Sequence, residues 1–101
     1  VVTGVDYNNL TIVGKHNGTA MQPVRTADMV WDFNELVSWI SQYMTLNPGD
    51  VVLAGTAGEA YTVKLQAGDT FEVEIAGVGT LRNPVQAAPP MTTLPPPNEY
   101  Q

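Results

Sequence analysis

Gly55-Thr56 is the residue pair in this chain best equipped to meet a ligand. Glycine lets backbone approach closely, and threonine adds a hydroxyl beside its own N–H. The pair follows Val51-Val52-Leu53-Ala54, a continuous apolar run that reads as a short strand covered on both faces. Strand ends and the loops after them are where folds place binding groups. Other residues carry weaker signals. His16 is the single histidine and sits beside Asn17-Gly18; with no nucleophile or orienting carboxylate evident nearby, an exposed turn residue is favoured over a general base. Glu72 and Glu74 alternate on one strand and could bracket a cation, but a charged, solvent-facing strand edge is the preferred reading. Arg25 and Asp28 could pair or orient a loop, and a structural role is favoured for both. Asp50 and Asp69 each follow a glycine in a tight turn, where a carboxylate bonds local backbone N–H groups. No catalytic residue and no metal ligand set is assigned within the chain.

These residues need elements to hold them. Leu10 to Val13 reads as a strand, Asn17-Gly18 as a hairpin turn, and Thr19 to Met21 as the return, stopping at Pro23. Asp32 with Glu35 gives capping-box spacing for a helix. Phe33, Leu36, Val37, Ile40 and Met44 form its buried stripe, and Pro48-Gly49 ends it. Trp39 and Tyr43 sit on a neighbouring face, so burial on two sides is expected. Trp31 and Trp39 are read as core or subunit-interface residues. After Gly55-Thr56 comes a small-residue loop at Ala57-Gly58-Glu59-Ala60, then a strand over Tyr61 to Leu65 and a turn at Gln66 to Asp69. Thr70 to Ile75 alternates, with Phe71, Val73 and Ile75 inward and Glu72 and Glu74 outward. Gly77 and Gly79 mark a turn, and Thr80 to Val85 closes the strands. The class is α+β, mainly β, with one main helix. From Ala87 a proline-rich tail extends to the end, so the division is 1–86 and 87–101.

The 101 residues suffice for one small domain or part of a larger one. Charged residues make up 14%, against about 25% in ordinary globular chains. A short chain so poor in charge is expected to turn some surface toward other protein. Four scattered basic residues and a net charge of −6 give no footprint for nucleic acid or an anionic membrane. The absence of cysteine excludes disulfides, thiolate metal sites and cysteine nucleophiles. No apolar run reaches membrane-span length, no signal peptide is visible, and a cytoplasmic location is expected. Val1-Val2-Thr3-Gly4 reads as entry into a strand and as the interior of a longer polypeptide.

The pattern Asn17-Gly18, Gln22, Thr26, Asp28-Met29, Ser41-Gln42, Met44-Thr45-Leu46, Pro48-Gly49-Asp50, Gly55-Thr56, Gly68-Asp69 and Gly77 through Val85 resembles the C-terminal part of the fumarylacetoacetate hydrolase family, over about Val2 to Gln86. The resemblance implies a mixed β-sandwich roll and homo- or hetero-oligomers. It also implies a bound divalent cation (Mg²⁺, Mn²⁺ or Ca²⁺) and action on small 2-oxo acids. C–C hydrolysis of acylpyruvates, decarboxylation and isomerisation all occur in the family, with a cation chelating the 2-oxo carboxylate and stabilising an enolate. By the same resemblance, Gly55 and Thr56 match the motif that contacts the substrate carboxylate. The family's metal ligands, lysine and His–Glu pair match nothing here, so a preceding segment or second chain would supply them. Ala57 stands where the family usually has proline. Two further expectations remain open: a non-catalytic subunit serving assembly, and a member repurposed in a biosynthetic pathway.

Overall fold

The computed structural model describes residues 1–56 and 62–90. Its centre is an antiparallel sheet of β1 (Thr11–His16), β2 (Thr19–Ala20), β3 (Val24–Arg25), β4 (Thr70–Ile75) and β5 (Gly79–Pro84). The strands lie in the order β2-β1-β4-β5, with β3 also pairing β1. Asn17 and Gly18 both take positive φ (49° and 81°), as a two-residue hairpin between right-twisted strands demands. The return edge is interrupted where Pro23 lacks an N–H. Pairing shifts by one residue between Lys15↔Ala20 and Ile12↔Val24, a bulge spanning Met21 to Pro23. The return therefore continues past Pro23, beyond where the sequence predicts its end. β4 is held on both sides, by β1 (His16↔Phe71 to Ile12↔Ile75) and by β5 (Thr70↔Pro84 to Ile75↔Gly79).

Alternation sends the two faces of this sheet to different environments. Lys15 Nζ donates to Glu74 Oε2 at 2.7 Å, and Arg82 lies 4.0 Å from Glu72. Glu72 and Glu74 thus have cationic partners on an internal strand, not an edge strand as expected. Phe71 and Val73 face the opposite side, with Ile12 and Gly14.

The helix α1 (Phe33–Ser41) begins as the sequence predicts. Asp32 accepts from Glu35 N at 2.8 Å while Glu35 accepts from Asp32 N at 2.8 Å, closing a reciprocal capping box. Its end differs: the helix stops at Ser41, not at Pro48. Gln42 N and Tyr43 N reach back three residues to Trp39 and Ile40, tightening the last turn, and Ser41 Oγ bonds the Ser38 carbonyl. Met44 therefore falls outside the helix, 61% exposed.

Further differences share one physical cause. Residues 51–54 join no strand, with Val51 82% and Leu53 89% exposed. Residues 63–65 and the first four residues also join no strand. A β-strand exists only where a neighbour completes its hydrogen bonds, and among the described residues these segments have none. Trp31, Val37, Trp39 and Tyr43 are exposed, so the second buried side of α1 is not supplied by the described residues. Among the described residues Thr26 alone is buried, and no apolar side chain is. The accessible surface of 8478 Å² is about half as much again as a compact chain of this mass presents. The radius of gyration is 18.0 Å, where about 13 Å is usual for 100 residues. The predicted loop at 57–60, the start of the strand at Tyr61 and most of the proline-rich tail lie outside the described residues.

Candidate functional site

A cavity of about 620 Å³ opens on the apolar face of the sheet. Ile12 and Gly14 of β1 and Phe71 and Val73 of β4 form its floor. One side is formed by the bulge and the residues after it, from Met21 and Gln22 through Arg25 to Met29. Phe33 at the start of α1 closes one end, and Ala54-Gly55-Thr56 contributes the remaining wall. The size suits a small molecule.

Local sequence explains why these groups reach the cavity. Gly55 has φ +93°, a left-handed conformation that a side chain strains, so glycine is required at this bend. Thr26 anchors the opposite side. Its hydroxyl accepts from Leu10 N at 2.8 Å and its own N–H donates to the Leu10 carbonyl at 2.9 Å. The N-terminus of α1 is tied down by Tyr7, whose hydroxyl donates to Asn34 and whose ring meets Phe33 edge-on at 5.9 Å.

Arg25 is the one ionisable residue among the described residues that line the cavity; it is exposed and pairs with Thr11, on the other face of the sheet from Ile12. It makes no ion pair with Asp28; its Nη2 donates to Asn9 Oδ1 at 2.9 Å. Gln22 and Thr56 add neutral polar groups, and the remaining lining is mostly apolar.

His16 and Asp69 form a second cluster, and here the sequence reading is corrected. His16 lies within β1, with an orienting carboxylate: its Nε2 is 2.8 Å from Asp69 Oδ2. Asp69 also accepts from Gln66 N at 2.9 Å and from Asn17 Nδ2 at 3.1 Å. The His16 hydrogen bond foremost, then those from Gln66 and Asn17, lowers the Asp69 carboxyl to about 2. Asn17 Oδ1 accepts from Thr70 N at 2.8 Å, completing a clasp between the hairpin and the turn before β4. Asp50 behaves as expected, accepting from Asn47 N at 2.8 Å. The His16–Asp69 contact spans 53 residues and depends on β1 lying beside β4. No local motif announces it.

Along the outer side of α1 runs an open groove of about 800 Å³, lined by Trp31, Leu36 and Trp39 among others. The Trp39 and Tyr43 rings meet at 4.8 Å between centroids, tilted by 49°, while remaining exposed. Among the described residues no three His, Cys, Asp or Glu side chains converge to hold a metal ion. The cation implied by the resemblance finds no ligand set in them. No described helix is long and apolar enough to cross a membrane.

Comparison with known proteins places this arrangement. The family model for the fumarylacetoacetate (FAA) hydrolase C-terminal region matches residues 2–86. An uncharacterized protein of Methanocaldococcus jannaschii is 42% identical over 89 residues, covering 85% of this chain and 35% of its own length. A mitochondrial oxaloacetate tautomerase of Bos taurus is 38% identical over 85 residues, covering 79% of this chain and 27% of its own. The solved structure of a 2-hydroxyhepta-2,4-diene-1,7-dioate isomerase from Mycobacterium marinum superimposes with a TM-score of 0.75 at 42% identity. It covers 85% of this chain and 33% of that structure. The chain thus spans about a third of the length of such relatives.

Proposed function

The chain belongs to the fumarylacetoacetate hydrolase family, and from that premise we propose that it forms the C-terminal portion of an enzyme acting on small 2-oxo acids. The reaction class is hydrolysis, decarboxylation or isomerisation, each passing through an enol or enolate of the 2-oxo acid. A relative named as an oxaloacetate tautomerase and a neighbour named as a dienedioate isomerase support this class. Within it, Thr56 and the adjoining Gly55 backbone donate to the substrate carboxylate. The observation that carries the reading is their place on the wall of the cavity. Catalytic groups and metal ligands come from a segment or chain outside these 101 residues, which also covers the exposed apolar faces of the sheet and of α1. Sheet and covering segment together build the mixed β-sandwich roll.

The surplus accessible surface supports this division. One side of a standard stable interface covers about 800 Å², and the excess over a compact chain is larger than that. Segment 51–54 becomes a strand when a neighbouring strand completes its ladder. Calorimetric titration with Mg²⁺ and Mn²⁺, alongside turnover of an acylpyruvate, tests the proposal. The chain alone is expected to show neither tight metal binding nor turnover, and the completed assembly both. A tight divalent site on the isolated chain would overturn the division of labour.

A further inference from the structure

Deepening the reading of the cavity, and resting on it, we propose that Gly14, Met21 and Phe71 form an apolar end that takes an unbranched alkyl substituent of the ligand. Met21, lying over Gly14, sets how long that substituent can be. Gly14 stands in the middle of β1 without a positive φ, so the backbone there does not call for glycine. An interior glycine weakens a strand, and its use is to admit a close neighbour. Two neighbours are present: a β-carbon on Gly14 would meet Met21 Sδ at 3.3 Å and Phe71 Cζ at 3.4 Å. Met21 N donates to the Gly14 carbonyl at 2.8 Å, which fixes the start of the bulge against this point.

The chemistry of this end is uniform. Gly14, Met21 and Phe71 line the same cavity as Thr56, and Ile12 and Val73 continue the floor between the strands. Alternation sends Lys15, Glu72 and Glu74 to the opposite face, where they pair among themselves and with Arg82. His16 follows Gly14 on the cavity face but is held by Asp69 and does not line the cavity. A polar substituent placed over Gly14, Met21 and Phe71 would lose its water without a side-chain hydrogen bond in return, whereas an alkyl group gains by leaving water. The thioether of Met21 is flexible and polarisable, so it can settle against chains of slightly different shape. A ligand held by its carboxylate at Thr56 can thus lay its apolar end on this floor.

Equilibrium binding to the completed assembly tests this with a homologous series, 2-oxobutanoate, 2-oxopentanoate, 2-oxohexanoate and 2-oxooctanoate. In the wild type each added methylene is expected to tighten binding by about fourfold until the end is filled, after which the gain stops. Gly14→Ala puts a methyl group into this end and moves the limit to a shorter chain, whereas Met21→Ala empties it and moves the limit to a longer one. Met21→Ala only removes atoms, so it carries the test if Gly14→Ala does not assemble. A wild-type affinity that ignores chain length, or a limit unmoved by Met21→Ala, would overturn the proposal. So would shifts of the two variants in the same direction. Thr56→Val separates the two readings, because it weakens the whole series equally if Thr56 holds the shared carboxylate. If it moves no member while Met21→Ala still lengthens the limit, the Thr56 assignment fails and the proposal for the apolar end stands.

Discussion

Asn17 offers the sharpest quantitative test of the clasp that joins the hairpin to β4. Three features converge there: a φ of 49°, a side-chain oxygen accepting from Thr70 N at 2.8 Å, and a side-chain amide donating to Asp69 at 3.1 Å. Asn17→Gly keeps the left-handed backbone at no steric cost but deletes both hydrogen bonds. Each is solvent-exposed, which puts it near the lower end of the usual range, so the loss is about 1–2 kcal/mol. Asn17→Ala deletes the same bonds and adds the left-handed penalty of a β-carbon, about 1 kcal/mol more. Asn17→Asp tolerates the backbone and can still accept from Thr70. It sets a second carboxylate beside Asp69, however, and so raises the Asp69 pKa from about 2. Urea unfolding of the folded assembly at neutral pH measures the first two variants, and carboxyl NMR titration measures the third. The expected order of destabilisation is Ala greater than Gly. Equal losses for Ala and Gly, or losses below about 0.5 kcal/mol for both, would refute the left-handed, doubly bonded geometry on which the magnitude rests.

The helix start and the His16–Asp69 contact are testable in the same way. Asp32→Ala removes the capping box and is expected to cost about 1 kcal/mol in urea unfolding; no change in midpoint would contradict the cap. His16→Gln weakens the principal bond holding the Asp69 carboxyl down, so that pKa should rise from about 2 toward its ordinary 3.8. The sign comes from linkage: Asp69 is lowered in the folded state, so its stabilisation is complete above about pH 4 and is lost as pH falls toward 2. An Asp69 titration curve unmoved in His16→Gln would show that the imidazole is not its main partner.

Local chemistry made part of this structure legible and long-range pairing hid the rest. The Asn17-Gly18 turn, the Asp32–Glu35 cap and the alternation through Thr70 to Ile75 each depend on residues a few positions apart, and each is found where the sequence predicts it. Segment 51–54 is as apolar as a buried strand should be, yet apolarity specifies only that it be covered, not by what. Its covering neighbour is not among the described residues, so it forms no ladder. The helix stripe through Val37 and Met44 has the same history: periodicity names the face and the missing contact leaves it open. At the site, Gly55 and Thr56 could be singled out by residue type at the end of an apolar run. Arg25 could not, because its place in the cavity depends on a one-residue bulge and on β3 pairing with β1. The His16–Asp69 contact was hidden by a sequence separation of 53 residues.

The central claim is that Thr56 binds the carboxylate of a 2-oxo acid in an enzyme that other residues complete. Steady-state kinetics of Thr56→Val in the completed assembly, on a 2-oxo acid it turns over, tests this most directly. Loss of one hydrogen bond to a charged carboxylate is worth about 1.5–3 kcal/mol, or about 10- to 150-fold in kcat/KM. The expected result is a fall of that size, carried mainly by KM because the contact is made in ground and transition states alike. A variant with wild-type kcat/KM on every 2-oxo acid that the assembly accepts would contradict the account.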